Sequence, residues 1–226
     1  MKTIAKAAEL FLVTGLLSGV SEAITLDASS NSGAQTNVSQ ISWNHTIGSG
    51  NNKSLIVSTF AWDNIGHDLI VDSIKYAGLK CARAASESAS DEGDTSAVSM
   101  WYLLDANLLS AGTYEVRIYF RGIIGSGCAS AISLNNVLQA APQDVDSTIQ
   151  AGMLLSAITT YSTPLTDRAW CIDALVTQCV TALNAAPPQT ERAEVSFANG
   201  TGGMSTLEVS PAAQTGIGWS YGVNCA

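Results

Sequence analysis

Charge is what this sequence has least of. Of its 226 residues only 13% are Asp, Glu, Lys or Arg, against roughly 25% in an average soluble domain. The 10 Lys and Arg are spread thinly among 19 acids, for a formal net charge of −9. A nucleic-acid surface needs clustered basic residues to neutralise phosphates, so nucleic-acid binding is not expected. The same shortage argues against docking on anionic lipid headgroups. Histidine is nearly missing, with His45 and His67 alone. The cysteines at 81, 128, 171, 179 and 225 form no CxxC pair. A zinc centre of Cys and His ligands is therefore excluded as a working hypothesis. The chain also lacks a G-x-S-x-G elbow, an EF-hand loop and any internal repeat at a fixed period. The apolar run at residues 10–20 is too short to remain as a membrane span.

What is present in place of charge is Ala, Ser, Thr and Gly. That profile suits a secreted protein whose surface is kept wet by hydroxyls and amides. Residues 1–23 agree with export. Lys2 and Lys6 give a positive start, residues 10–20 an apolar stretch, and Ser21-Glu22-Ala23 a site of the A-x-A kind. This is the grammar of a cleaved signal peptide. Glu9, beside the apolar stretch, fits that grammar poorly and keeps a second reading open, an apolar helix retained in the mature protein. In an oxidising compartment two disulfides can form, and Cys171 with Cys179, flanking one short segment, is the favoured pair. The alternative is that the cysteines are small buried hydrophobes.

From residue 24 the pattern is that of strands. Residues 114–121 alternate, with Tyr114, Val116, Ile118 and Phe120 on one side and Glu115, Arg117, Tyr119 and Arg121 on the other. A period of two means a strand with one face buried. Ile41, Trp43, His45 and Ile47 share a face in the same way. Residues 98–105 and 55–62 are apolar almost throughout, as suits strands covered on both faces. Further strands are expected near 24–26, 69–76, 128–134, 153–160, 169–176, 193–197, 204–209 and 216–221. Residues 84–95 read as a long polar loop, 122–127 as a glycine turn and 177–190 as a loop with a helical turn. About a dozen strands spaced ~10–15 residues apart, with no sustained helical period, predict an all-β fold. The expected form is a two-sheet antiparallel sandwich with jelly-roll or Greek-key connections. One domain is expected over 24–226, preceded by the short apolar segment 1–23.

Candidate sites follow from residue chemistry. Asp91-Glu92-Gly93-Asp94 gathers three acids around a turn glycine, which makes Asp91, Glu92 and Asp94 the candidate ligands for Ca²⁺, the one cofactor considered. A solvated loop is the competing reading. Sugars stack on exposed aromatics, and Trp62 and Tyr161, near turns, are the candidates for that role. Trp43 and Trp101 belong in the core. Sequons stand at Asn37, Asn44, Asn52 and Asn199. Asp173, inside the apolar strand 170–175, either faces solvent or needs a buried partner. No pair of carboxylates and no Ser/His/Asp set is selected by spacing, so no catalytic residue is assigned.

A set of segments carries a resemblance. They are Ile41-Ser42-Trp43-Asn44-His45-Thr46, Asn52-Lys53-Ser54-Leu55-Ile56-Val57, Val71-Asp72-Ser73-Ile74-Lys75-Tyr76-Ala77-Gly78, Trp101-Tyr102-Leu103-Leu104 and Gly112-Thr113-Tyr114-Glu115-Val116. They resemble the jelly-roll-like β-sandwich modules of secreted bacterial and archaeal proteins and of phage particles. The resemblance implies display, adhesion or assembly and transfers no catalytic residue. The expectation is a non-enzymatic extracellular structural subunit of a surface filament, coat or virion, self-assembling through sandwich contacts and strand addition. The runner-up is a secreted carbohydrate-binding or adhesion module with glycans as partners.

Overall fold

A computed structural model describes residues 5–13, 22–64, 69–91, 93–142, 145–149, 157–162 and 168–222. In chain order its strands are β1 (Ala5–Val13), β2 (Thr25–Asn31), β3 (Gln35–Ile47), β4 (Ser54–Asp63), β5 (Val71–Tyr76), β6 (Leu79–Lys80), β7 (Ala82–Asp91) and β8 (Asp94–Leu104). They continue as β9 (Gly112–Asn135), β10 (Val145–Ile149), β11 (Ala157–Ser162), β12 (Ala169–Thr177), β13 (Leu183–Ala185), β14 (Thr190–Phe197), β15 (Gly200–Val209) and β16 (Thr215–Tyr221). Every pairing among them is antiparallel. The fold is all-β, as expected, and the described residues form three sheets. The first runs β6-β5-β9-β4-β8-β7, with β2 and β3 also on β9; the second runs β10-β1-β12-β15-β14; the third runs β11-β16-β13.

Alternation explains how the sheets stack. In β4 every residue is buried. Ile56, Phe60 and Trp62 point into one core with Val98, Met100, Cys128 and Ile132. Leu55, Val57 and Ala61 point into another with Trp101, Leu103, Ile118 and Phe120. The first of these cores is closed by Trp170, Ile172, Ala174 and Val176 of β12, so β4 and β12 face each other across it. The opposite face of β12 meets the third sheet through Ala169, Cys171 and Leu175. A strand between two apolar layers has no wet face, which is why β4 and β12 read as near-continuous apolar runs. Each large side chain fully buried in this way contributes roughly 1.5–3 kcal/mol.

Glycines set the layer spacing at one point. A Cβ on Gly202 would strike the Phe60 ring, and one on Gly203 would press on Leu183 and Trp219. These neighbours in β15 face opposite sides, so one Gly-Gly step lets both adjoining layers close on β15.

Four expectations are corrected here. Residues 84–95 are not read as a loop: 84–91 belong to β7 and 94–95 to the start of β8, with Asp91 opposite Asp94 and Gly93 at φ +98°. The Ala/Ser/Glu content of β7 suits an edge strand with a wet face, and that polarity imitates a loop. Residues 122–127 are not a turn but the middle of β9, whose length lets it pair with β3 and β5 at one end and β2 and β4 at the other. Its glycines make room, because a Cβ on Gly127 would strike the Phe60 carbonyl and one on Gly125 would crowd the Trp62 ring. Within 177–190 the structure has a short strand, β13, in place of a helical turn. Within the segment 1–23, residues 5–13 are an extended strand between β10 and β12 in place of an apolar helix. Among the described residues no helix is long and apolar enough to cross a membrane.

Candidate functional site

Asp173, a carboxyl in an apolar strand, is fully buried in β12. Strand alternation turns it away from Ile172 and Ala174 toward the third sheet. There the Ser205 N–H donates to Oδ1 at 3.1 Å and the Ser205 hydroxyl to the same oxygen at 2.5 Å. Trp219 Nε1–H donates to Oδ2 at 2.7 Å and Gln189 Nε2–H at 3.2 Å. Gln189 also donates to Ser205 Oγ (2.6 Å) and accepts from the Gly218 N–H (2.7 Å). Burial raises the Asp173 carboxyl to about 6, against the pull of donors from Ser205, Trp219 and Gln189. A carboxylate offers about four acceptor sites, and four donors fill them here. The cluster joins β12, β15, β16 and the loop before β14, so its work is to brace the second sheet against the third.

A second enclosed group is His45, 1% exposed in β3. Its Nδ1 lies 2.7 Å from Ser30 Oγ, and Trp43 Nε1–H donates to that same oxygen at 2.9 Å. An indole N–H is donor only, so Ser30 Oγ accepts from Trp43, and its second lone pair or its own proton serves Nδ1 according to the ring's tautomer. Nε2 has no hydrogen-bond partner. Desolvation lowers the imidazole to about 4, opposed by the charge of Asp27. The Tyr76 ring meets it edge-on at 6.4 Å, and the Tyr76 hydroxyl donates to the His45 carbonyl at 3.2 Å. The Ser30–His45 contact has the reach of a nucleophile–base pair, and sequence reasoning missed it because Ser30 lies in a serine-rich stretch with no motif around it. Its chemistry is not that of a dyad. A base needs a pKa near working pH and a group orienting its other nitrogen, and His45 has neither.

The residues singled out from the sequence are scattered. Trp62 is corrected: it is 9% exposed and packs in the core between the first two sheets, against Gly125. Tyr161 is 59% exposed on β11, in another sheet, so the two make no aromatic platform. Of the acids proposed for Ca²⁺, Asp91 closes β7, Asp94 opens β8 and is half-buried, and Glu92 lies outside the described residues, as does His67. Among the described residues no three His, Cys, Asp or Glu gather as metal ligands. Cys171 is a buried thiol, so the expected Cys171–Cys179 disulfide does not form. Alternation drives Cys171 into the apolar layer with Leu207 and Ile217, while the Cys179 carbonyl, in the bend after β12, accepts from Thr177 Oγ1 at 3.0 Å. Cys81 and Cys128 are buried thiols as well; burial pushes Cys81 up to about 12 and Cys128 higher still. Neither is a reactive thiolate. Asn37, Asn44, Asn52 and Asn199 are all exposed, so each sequon is open to modification. A cavity of about 260 Å³ between the start of β5 and the β7–β8 hairpin is lined by Thr59, Leu69, Arg83, Glu87 and Ser99, none of them a residue that the sequence singled out.

No protein family, curated protein or solved structure was found to match this chain.

Proposed function

We propose that the protein is a non-enzymatic extracellular structural subunit, acting by assembly into a filament, coat or particle. One observation carries this reading: the buried carboxyl of Asp173 and the buried imidazole of His45 are used to hold layers together. Asp173 has every acceptor site taken by main-chain and side-chain donors from neighbouring strands. His45 is sealed under Tyr76 with a depressed pKa. The low charge and hydroxyl-rich composition and the four exposed sequons support the same reading. So does the resemblance to jelly-roll-like modules of secreted and phage proteins. Sedimentation velocity of natively purified protein tests it. Discrete oligomers growing with concentration are expected. A monomer at every concentration, with the mature N-terminus confirmed, overturns it.

A glycan-binding module remains the second reading, and Tyr161 is the observation that favours it, an aromatic ring left exposed on β11. It predicts binding on a glycan array that Tyr161→Ala abolishes.

A further inference from the structure

We propose that β1 is an exchanged strand: residues 5–13 of one copy fill the slot between β10 and β12 of a second copy. The proposal rests on the assembly reading and gives it a mechanism. Three observations point there. First, the slot needs a strand. All nine residues of β12 are buried, and β1 covers the entire edge that β15 does not, from Ala5 opposite Thr177 to Val13 opposite Trp170. Without β1 the most apolar strand of the second sheet is an open edge, a template for pairing with another chain. Second, the slot is specific in register. β10 holds the other edge of β1 from Lys6 opposite Ile149 to Phe11 opposite Val145, and both pairings shift between Lys6 and Ala8. A shared irregularity of that kind suits one segment, and every copy carries it. Third, β1 lies in the second sheet while β2 lies in the first. The connector, residues 14–24, runs between the two sheets and spans at most ~40 Å. A strand tied to its own domain by such a connector enters a neighbour's slot with the same hydrogen bonds that it makes at home. A donor at one end and an acceptor elsewhere make a heterologous contact, which propagates into a filament.

The test uses the full chain carrying Leu12→Cys. Leu12 and Cys171 are Cα partners across β1 and β12, and Cys171 is a thiol. Directly opposed antiparallel residues lie ~4.5–5.5 Å apart, a span that a disulfide bridges. After oxidation with diamide, an unreduced gel is expected to show a ladder of covalent multimers. The ladder collapses with reductant and is missing when Cys171→Ser is added. A bridge confined to the monomer band, or no bridge in a folded variant, overturns the proposal. So does an intact mass showing that the mature chain starts after Val13. Hydrogen exchange on the wild-type protein needs no variant: protection of Ala169–Thr177 that rises with protein concentration supports exchange between copies, and protection independent of concentration overturns it. Particles or filaments without a ladder would remove strand exchange and leave the structural subunit standing. Their absence would remove both.

Discussion

Asp173 and His45 are both buried, both ionisable and set in different sheets, yet they are held in opposite ways. The carboxyl of Asp173 receives four donors from three directions. The ring of His45 keeps one hydrogen bond and leaves Nε2 bare. The difference is one of dependence. The strands around Asp173 have aimed their donors at it, so they need the charge or its hydrogen-bonding equivalent. The strands around His45 need a flat ring of that size and little else.

Truncation should therefore separate the two sites most sharply. Asp173→Ala strands the Trp219 and Gln189 N–H groups and the Ser205 donors, and should cost ~3–5 kcal/mol by urea denaturation, as loss of one partner from a buried charged network does. Its Trp219 emission should shift to the red as the third sheet loosens. His45→Leu, which removes an unsatisfied nitrogen and keeps the volume, should cost less than ~1.5 kcal/mol. Equal costs would erase the distinction.

The pH dependence sharpens it further, because the signs differ. Asp173 has a folded pKa raised from 3.8 to about 6. Its contribution to stability is fully present below 3.8 and is lost as pH rises through 6. His45 has a folded pKa lowered from 6.5 to about 4. Its contribution is present above 6.5 and is lost as pH falls through 4. Each amounts to roughly 3 kcal/mol at 1.36 kcal/mol per pKa unit. Between about pH 4 and 6 the two slopes oppose and largely cancel. Denaturation midpoints of Asp173→Asn should then fall more steeply with acid than wild type, and those of His45→Leu should rise. Parallel profiles for both variants would contradict the pairing.

The glycine step between the layers gives a smaller effect. Gly202→Ala drives a methyl into the Phe60 ring and should cost ~1–3 kcal/mol in thermal melts. At the far end of the scale, Tyr161→Ala on exposed β11 should change stability by no more than ~0.5 kcal/mol, so that any loss of glycan binding reads as recognition alone.

The strands that face two cores announce themselves in the sequence, since 55–62 and 169–176 have no wet side to encode. The edge strand β7 does not, because Ala-Ser-Glu alternation on a solvated edge has the composition of a loop. The glycines of β9 mislead for a related reason: they mark a close approach of Phe60 and Trp62, and close approach and turning use the same residue. Asp173 was legible as an oddity, an acid in an apolar run, and its need for a partner followed from the cost of burying it. Which partners could not follow, because Ser205, Trp219 and Gln189 reach it through pairings 16 to 46 residues away. Trp62 shows the limit from the other side. It stands next to a turn in sequence, but its position in β4 fixes it on the same inward face as Phe60.

Electron microscopy of natively purified protein tests the central claim most directly, that this chain spends its buried chemistry on holding layers together and acts by assembling. Filaments, sheets or shells with a repeating unit are predicted. Uniform single subunits at high concentration would contradict it.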